Sequence, residues 1–190
     1  MAVPRPADGV RPGLPEWAMV SEPRRGHIER VATLASRWAD HLSLPTAERH
    51  RWARAVWLHD ALRDAPLDRL QQLVPGEAGP VDLLHGPAAA VSAQAAGELD
   101  QGVLAAVRYH SVGFAGWDLV GRMLYCADFL EPGRSFDRED RARLAEAFPL
   151  DPEGVVREVT SRRLRYVIGQ GWPLPDEGFR FWNSVAWAGA

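Results

Sequence analysis

The chain has 190 residues, 46% hydrophobic and 25% charged, with 22 basic against 25 acidic side chains and a formal net charge of −3. Such a composition excludes a disordered tail, a collagen-like repeat and a disulfide scaffold, and it is enough to bury a core. A nucleic-acid partner calls for a basic stripe, which this balance does not offer. No apolar run approaches the roughly 20 residues that a membrane span needs. The lone Cys126 fits a reducing compartment. Met1 to Glu22 carries Pro4, Pro6, Pro12 and Pro15 but no apolar signal-peptide centre, so a cytoplasmic placement is expected. Every basic residue is arginine and none is lysine. An anion held by side chains must therefore be held by Arg, His or a metal.

In chain order the apolar spacing predicts helices nearly throughout. Ile28, Val31, Ala32, Leu34, Ala35 and Trp38 recur at helical intervals within Pro23–Leu44. Ala53, Val56, Trp57, Ala61 and Leu62 do so within Pro45–Asp64, where Pro45 suits a first turn. A short helix over Pro66–Val74 is stopped by Pro75 and Gly76, and one turn at Val81–Leu84 leads into Pro87–Leu99. Gln101–Tyr109, Trp117–Leu130, Arg138–Ala147, Pro152–Ile168 and Gly178–Ala186 complete the set. No run alternates as a strand would, so the prediction is one all-α domain, residues 23–190. A mobile Pro-rich lead, residues 1–22, would precede it. Trp38, Trp52 and Trp57 read as core aromatics, whereas Trp117 and Trp172 are freer to be functional.

Chemistry concentrates where His and Asp fall. His27 lies early in a helix, and His59 and Asp60 are adjacent near the end of the next. His85 sits at a junction, His110 at a helix end, and Asp128 late in its helix. A carboxylate at a helix C-terminus opposes the helix dipole and wants a cation nearby. His41 and His50 read as solvent-facing. Adjacent helical residues point about 100° apart, so His59 and Asp60 can address one centre, or Asp60 can bridge two. Imidazole with carboxylate suits iron, manganese or zinc better than magnesium or calcium. Six ligands exceed the needs of one tetrahedral ion, which points to a metal pair of the kind used for attack on phosphorus.

In order, the words RRGHIERVATLA, LHDALRD, LLHGPAAA, RYHSVG and LYCADFLEPGR resemble the YqeK-type HD domains. These belong to the HD superfamily of helical metal-dependent phosphohydrolases and are bacterial symmetrical diadenosine tetraphosphate hydrolases with a di-iron site. The resemblance runs from Arg24 to Arg134, with a fainter echo in PDEGFRFWN. It implies a single HD-domain helical bundle in which His27, His59, Asp60 and Asp128 hold one iron. Asp60 would bridge to a second, held by His85 and His110, and manganese or zinc would suit the same ligands.

The resemblance further implies hydrolysis of a dinucleoside polyphosphate to ADP by a hydroxide between the metals. Asp60 and Arg63 would be catalytic, while Arg63, Ser111, Arg134 and Asn183 would bind the nucleotide. Two departures bear on this. Arg63 stands where the family usually has lysine, and an arginine hardly gives up a proton, which leaves Asp64 as a conceivable acid. Ser111-Val112-Gly113 replaces the commoner Thr-Ser-Gly but keeps a hydroxyl. The alternatives are a nucleoside monophosphate phosphatase or other HD phosphohydrolase, and a non-catalytic nucleotide-binding sensor. The oligomeric state is open.

Overall fold

The computed structural model describes residues 13–77 and 79–186. Among them are nine α-helices and a 3-10 turn, with no strand, as the periodicity predicts. The helices are α1 (Glu22–His41), α2 (Thr46–His59), α3 (Leu67–Leu73), α4 (His85–Ala95), α5 (Gln101–Tyr109), α6 (Leu119–Leu130), α7 (Arg138–Ala147), α8 (Pro152–Gly169) and α9 (Asp176–Ala186). The 3-10 turn, Val81–Leu83, leads into α4.

Helix α6 is the axis of the bundle. It packs against α1, α2, α5, α7 and α8, and nine of its twelve residues are buried. A helix apolar on all sides must be covered on all sides. The main core gathers Ile28, Val31, Trp38, Trp52, Val56, Met123, Leu124, Phe148 and Val156 around it. Trp38 stacks on Phe148 with centroids 4.0 Å apart and donates its indole N–H to the Ala145 carbonyl. Trp117 is core as well, with its indole N–H on the Ala105 carbonyl, whereas Trp172 is exposed.

Helix ends depart from the apolar pattern where polar side chains intervene. Asp118 accepts from the Val120 N–H, so α6 starts at Leu119 rather than Trp117. Asp100 caps α5 through the N–H groups of Gly102 and Val103. Arg51 on α2 grips both caps, with a guanidinium nitrogen 2.7 Å from Asp100 and another 2.7 Å from Asp118. The predicted helix to Asp64 stops at His59, because Asp60 (φ −108°, ψ 13°) leaves the helical region and tight turns follow through Ala65. Helix α4 begins at His85, before Pro87, since a first turn needs no N–H donor from proline.

Residues 1–12 of the expected lead lie outside the described residues. Residues 13–21 are laid onto the domain. Leu14, Trp17 and Val20 pack on apolar clusters, the Met19 N–H donates to the Ala61 carbonyl at 2.7 Å, and Ser21 donates its N–H and hydroxyl to the Asp64 carboxylate. The segment before α1 thus covers the turn that follows Asp60.

Candidate metal centre

Four buried imidazoles and two buried aspartates converge from five parts of the chain: His27, His59, Asp60, His85, His110 and Asp128. Three of the rings are aimed by their own turns. The Nδ1 atoms of His59, His85 and His110 donate to the carbonyls of Val56, Asp82 and Val107, at 2.7, 2.8 and 2.8 Å. Each carbonyl lies three residues back. For His59 and His110 it belongs to the last turn of a helix, where carbonyls have no helical partner. A carbonyl only accepts, so each Nδ1 carries the proton and each Nε2 is left as a bare lone pair.

Those lone pairs face Asp60. Its Oδ2 lies 3.7 Å from His27 Nε2 and 3.6 Å from His59 Nε2, and its Oδ1 lies 3.3 Å from His85 Nε2 and 3.4 Å from His110 Nε2. One carboxylate therefore stands between two histidine pairs. Asp128 joins the first pair, its Oδ1 3.1 Å from His27 Nε2. Close approach of helices makes the second pair. A Cβ on Gly86 would lie 2.7 Å from the Arg108 carbonyl, so only glycine lets α4 bring His85 up against His110. At Gly113 (φ +95°) the chain turns away from α5, and Phe181 covers the glycine where a Cβ would clash.

The residues fit a metal pair. His27, His59 and Asp60 offer ligand atoms all within 4.8 Å of one another, and so do Asp60, His85 and His110. His27 Nε2 and His59 Nε2 are buried without a hydrogen-bond partner, and orphaned polar atoms of this kind are costly unless something polar or cationic meets them. Nitrogen with carboxylate oxygen is a transition-metal donor set.

Charge is distributed unevenly across the site. Burial would raise Asp60, yet the imidazoles of His59, His110 and His85 packed around its two oxygens hold its carboxyl well below the usual range. Burial pushes His59 down to about 4 and also lowers His85. Burial would lower His27, but the carboxylates of Asp128 and Glu131 beside its two ring nitrogens outweigh it and raise it to about 9.

A ring of arginines surrounds the carboxylates. Arg134 and Arg163 take one oxygen each of Asp128, at 2.6 and 2.7 Å. Of the four residues expected to bind nucleotide, three lie at the centre. Arg134 does so through Asp128. Arg63 donates to the Asp82 carbonyl that also holds His85, and the Ser111 hydroxyl lies 3.1 Å from His110 Nε2. Asn183 is half-buried on α9, and no hydrogen bond among the described residues links it to the cluster. The Asp64 carboxylate faces away from this role: burial would raise it, but it accepts from the N–H and hydroxyl of Ser21, which hold it below the usual range. His41 and His50 are exposed, as expected.

Three residues of the site escaped the sequence reading. Arg24 donates to Asp60 Oδ2 at 2.7 Å, and its signal was helical spacing, three residues before His27. Glu131 meets His27 Nδ1 at 3.2 Å, its signal a carboxylate just after Asp128 and before a Pro-Gly turn. Arg163 lies over Tyr125, 4.3 Å from the ring centroid, and reaches Asp128 from α8. No local pattern announces it.

The HD domain family model matches residues 24–145. A Bacillus subtilis protein named symmetrical bis(5'-nucleosyl)-tetraphosphatase is 36% identical over 101 residues, 48% of this chain and 54% of that protein. A protein of the same name from Staphylococcus aureus is 28% identical over 155 residues, covering 77% of this chain and 78% of the other. The match thus spans about half the length of the B. subtilis relative. A crystal structure from Clostridium acetobutylicum, described as a predicted HD superfamily hydrolase involved in NAD metabolism, superposes with a TM-score of 0.76. It is 26% identical and covers 88% of this chain and 90% of that one. With its paired histidines and aspartates inside the matched segment, this chain belongs to the HD domain family.

Proposed function

We propose that this chain is a metal-dependent phosphohydrolase that cleaves diadenosine tetraphosphate symmetrically into two ADP. The observation that carries the reading is Asp60, whose two oxygens face two separate histidine pairs. In this reading His27, His59, Asp60 and Asp128 hold one ion, and Asp60, His85 and His110 hold the other. Iron is the ion proposed, and manganese and zinc suit the same donors. Bound there, a metal pair supplies an ionised water near neutral pH and offsets charge on the phosphorus oxygens.

The chain's own groups hold and shape the substrate. Arg63 and Arg134 sit at the edge of the cluster with side chains one-third exposed, placed to take phosphate oxygens in bidentate fashion. Beside His85 and His110 a cleft is walled by Leu83, Leu84, Pro87, Val112 and Pro175, with Glu77, Arg108, Tyr109, Ser111 and Glu177 as polar groups. Apolar walls with a few polar contacts suit a base and its ribose. Asn183, further along α9, is assigned to the base or ribose.

The arginine at position 63 favours an anhydride over an ester. A departing nucleoside diphosphate resembles a phosphomonoester, whose last proton has a pKa of about 6, so it leaves as an anion and needs charge neutralisation rather than a proton. An ester alkoxide would need an acid, and Asp64 is engaged with Ser21. The names of the B. subtilis and S. aureus relatives agree with this substrate. As for partners, neither a nucleic acid nor a membrane is proposed; no described helix is long and apolar enough to cross a membrane.

The test compares products from metal-loaded protein. ADP as the sole nucleotide product of diadenosine tetraphosphate supports the reading. AMP with ATP would overturn the symmetrical register, phosphate release from AMP alone would indicate a monophosphatase, and nucleotide binding without turnover would indicate a sensor.

A further inference from the structure

We propose that Glu131 is a positioning residue that decides which nitrogen of His27 faces the metal centre. The inference rests on the metal-site reading above. His59, His85 and His110 are aimed by carbonyls of their own turns. His27 has no such carbonyl, because α1 continues to His41 and its internal carbonyls are spent on the helix. Its ring must be set from across the fold, and Glu131, 104 residues away in sequence, does this with Oε1 at 3.2 Å from Nδ1.

The carboxylate is itself fixed on every side. Its Oε2 accepts from Arg30 Nε at 2.6 Å and from the Gly133 N–H at 2.7 Å. The residue is 1% exposed, and Arg141 takes its carbonyl at 2.6 Å. Three donors therefore converge on two oxygens, an arrangement only an ionised carboxylate satisfies. Since Glu131 can only accept, His27 Nδ1 must carry a proton, and Nε2, turned towards Asp60 and Asp128, is the nitrogen left to give up its proton to an ion.

This logic makes an isosteric change the worse one. In Glu131→Gln the amide oxygen goes to the side with two donors, Arg30 and Gly133. The NH2 group then points at His27 Nδ1 and forces that atom to accept, which moves the ring proton to Nε2, where it blocks ligation. Glu131→Ala leaves room for water, which can accept from Nδ1, although Arg30 and Gly133 lose their partner.

The experiment is a stepwise zinc titration by calorimetry of wild-type, E131Q and E131A protein, with thermal melts of each. The expected result is a crossover. E131Q loses 10- to 100-fold in affinity at one of the two steps, the range seen when an outer partner of a ligand is removed, and the other step is unchanged. E131A loses less zinc affinity but melts lower than E131Q. A purely structural role predicts the opposite order, with the isosteric variant the milder in both measurements, and that result overturns the proposal. So does an E131Q protein that binds both ions as wild type does, or one that weakens both equally. Wild-type protein that takes up no zinc would bring down the metal reading and this inference with it, an outcome distinct from the others.

Discussion

His85 and His110 meet with their Nε2 atoms 3.1 Å apart. Each ring spends its Nδ1 proton on a main-chain carbonyl, so two lone pairs point at each other and at Asp60 Oδ1. Burial pushes His85 down, against the charged form. A shared cation relieves this opposition, which is why the contact reads as half of a metal site rather than as packing.

Removing the second pair and removing the bridge should therefore differ. His110→Ala is expected to keep about one metal per chain, whereas Asp60→Ala, which faces both pairs, is expected to keep neither. Both should lose more than about 100-fold in turnover, beyond what outer-sphere partners cost. Metal analysis of the purified variants beside a product assay checks the pattern; equal metal loss in the two variants would contradict it.

Metal-free protein should be most stable near pH 6.5. His59 is lowered in the fold from 6.5 to about 4, so its contribution is present above 6.5 and is lost as pH falls through 4. His27 is raised from 6.5 to about 9, so its contribution is present below 6.5 and is lost as pH rises through 9. Melts of chelator-treated protein across this range should fall on both sides. His59→Gln should flatten the acid side and His27→Gln the alkaline side. Adding metal should remove the alkaline loss, because the ion displaces the His27 proton.

Gly86→Ala is expected to damage both stability and the second metal position. Its new methyl group would meet the Arg108 carbonyl at 2.7 Å, and overpacking of this kind costs about 1–3 kcal/mol. For a chain of this size each kcal/mol lowers the melting temperature by about 2–4 °C. Since α4 must shift away from α5, His85 and His110 separate, and metal content should fall towards one per chain. A variant with unchanged melting and metal content would show that the helices have slack at this point.

Arg63→Ala should raise KM for the dinucleotide by about 10-fold or more, the loss of one charge-assisted hydrogen bond, with bound metal unchanged. Arg63→Lys should recover most of it if the residue neutralises charge. Steady-state kinetics with metal analysis checks both, and metal loss in either variant would assign Arg63 to the support of His85 instead.

Most of the helical frame is legible from spacing alone, because amphipathic stripes and Pro-Gly breaks are local signals. Arg138–Ala147 is a helix with the predicted ends, and α5 likewise. Ends set by a side-chain cap, such as Asp118, or by the need to turn Asp60 inward, are displaced by two to five residues. All six expected ligands come together, since the words that carry them lie next to helix ends. What the sequence hides is the support around them. Arg163 meets Asp128 across 35 residues, and Arg141 gathers the carbonyls of Phe129, Glu131, Arg134 and Phe136. Neither has a spacing that marks it apart from any surface arginine on a helix. Docking of residues 13–21 is equally non-local, for it depends on the Ala61 carbonyl and on Asp64.

The carbonyls of Val56, Asp82 and Val107 carry a consequence for interchangeability of the ion. They lock three imidazoles through main-chain bonds that exist whether or not anything is coordinated. The cage is thus cast by the polypeptide, and different first-row cations should enter one mould without reshaping it. Crystals grown with iron, manganese or zinc should superpose at these rings, leaving cellular supply to choose the occupant.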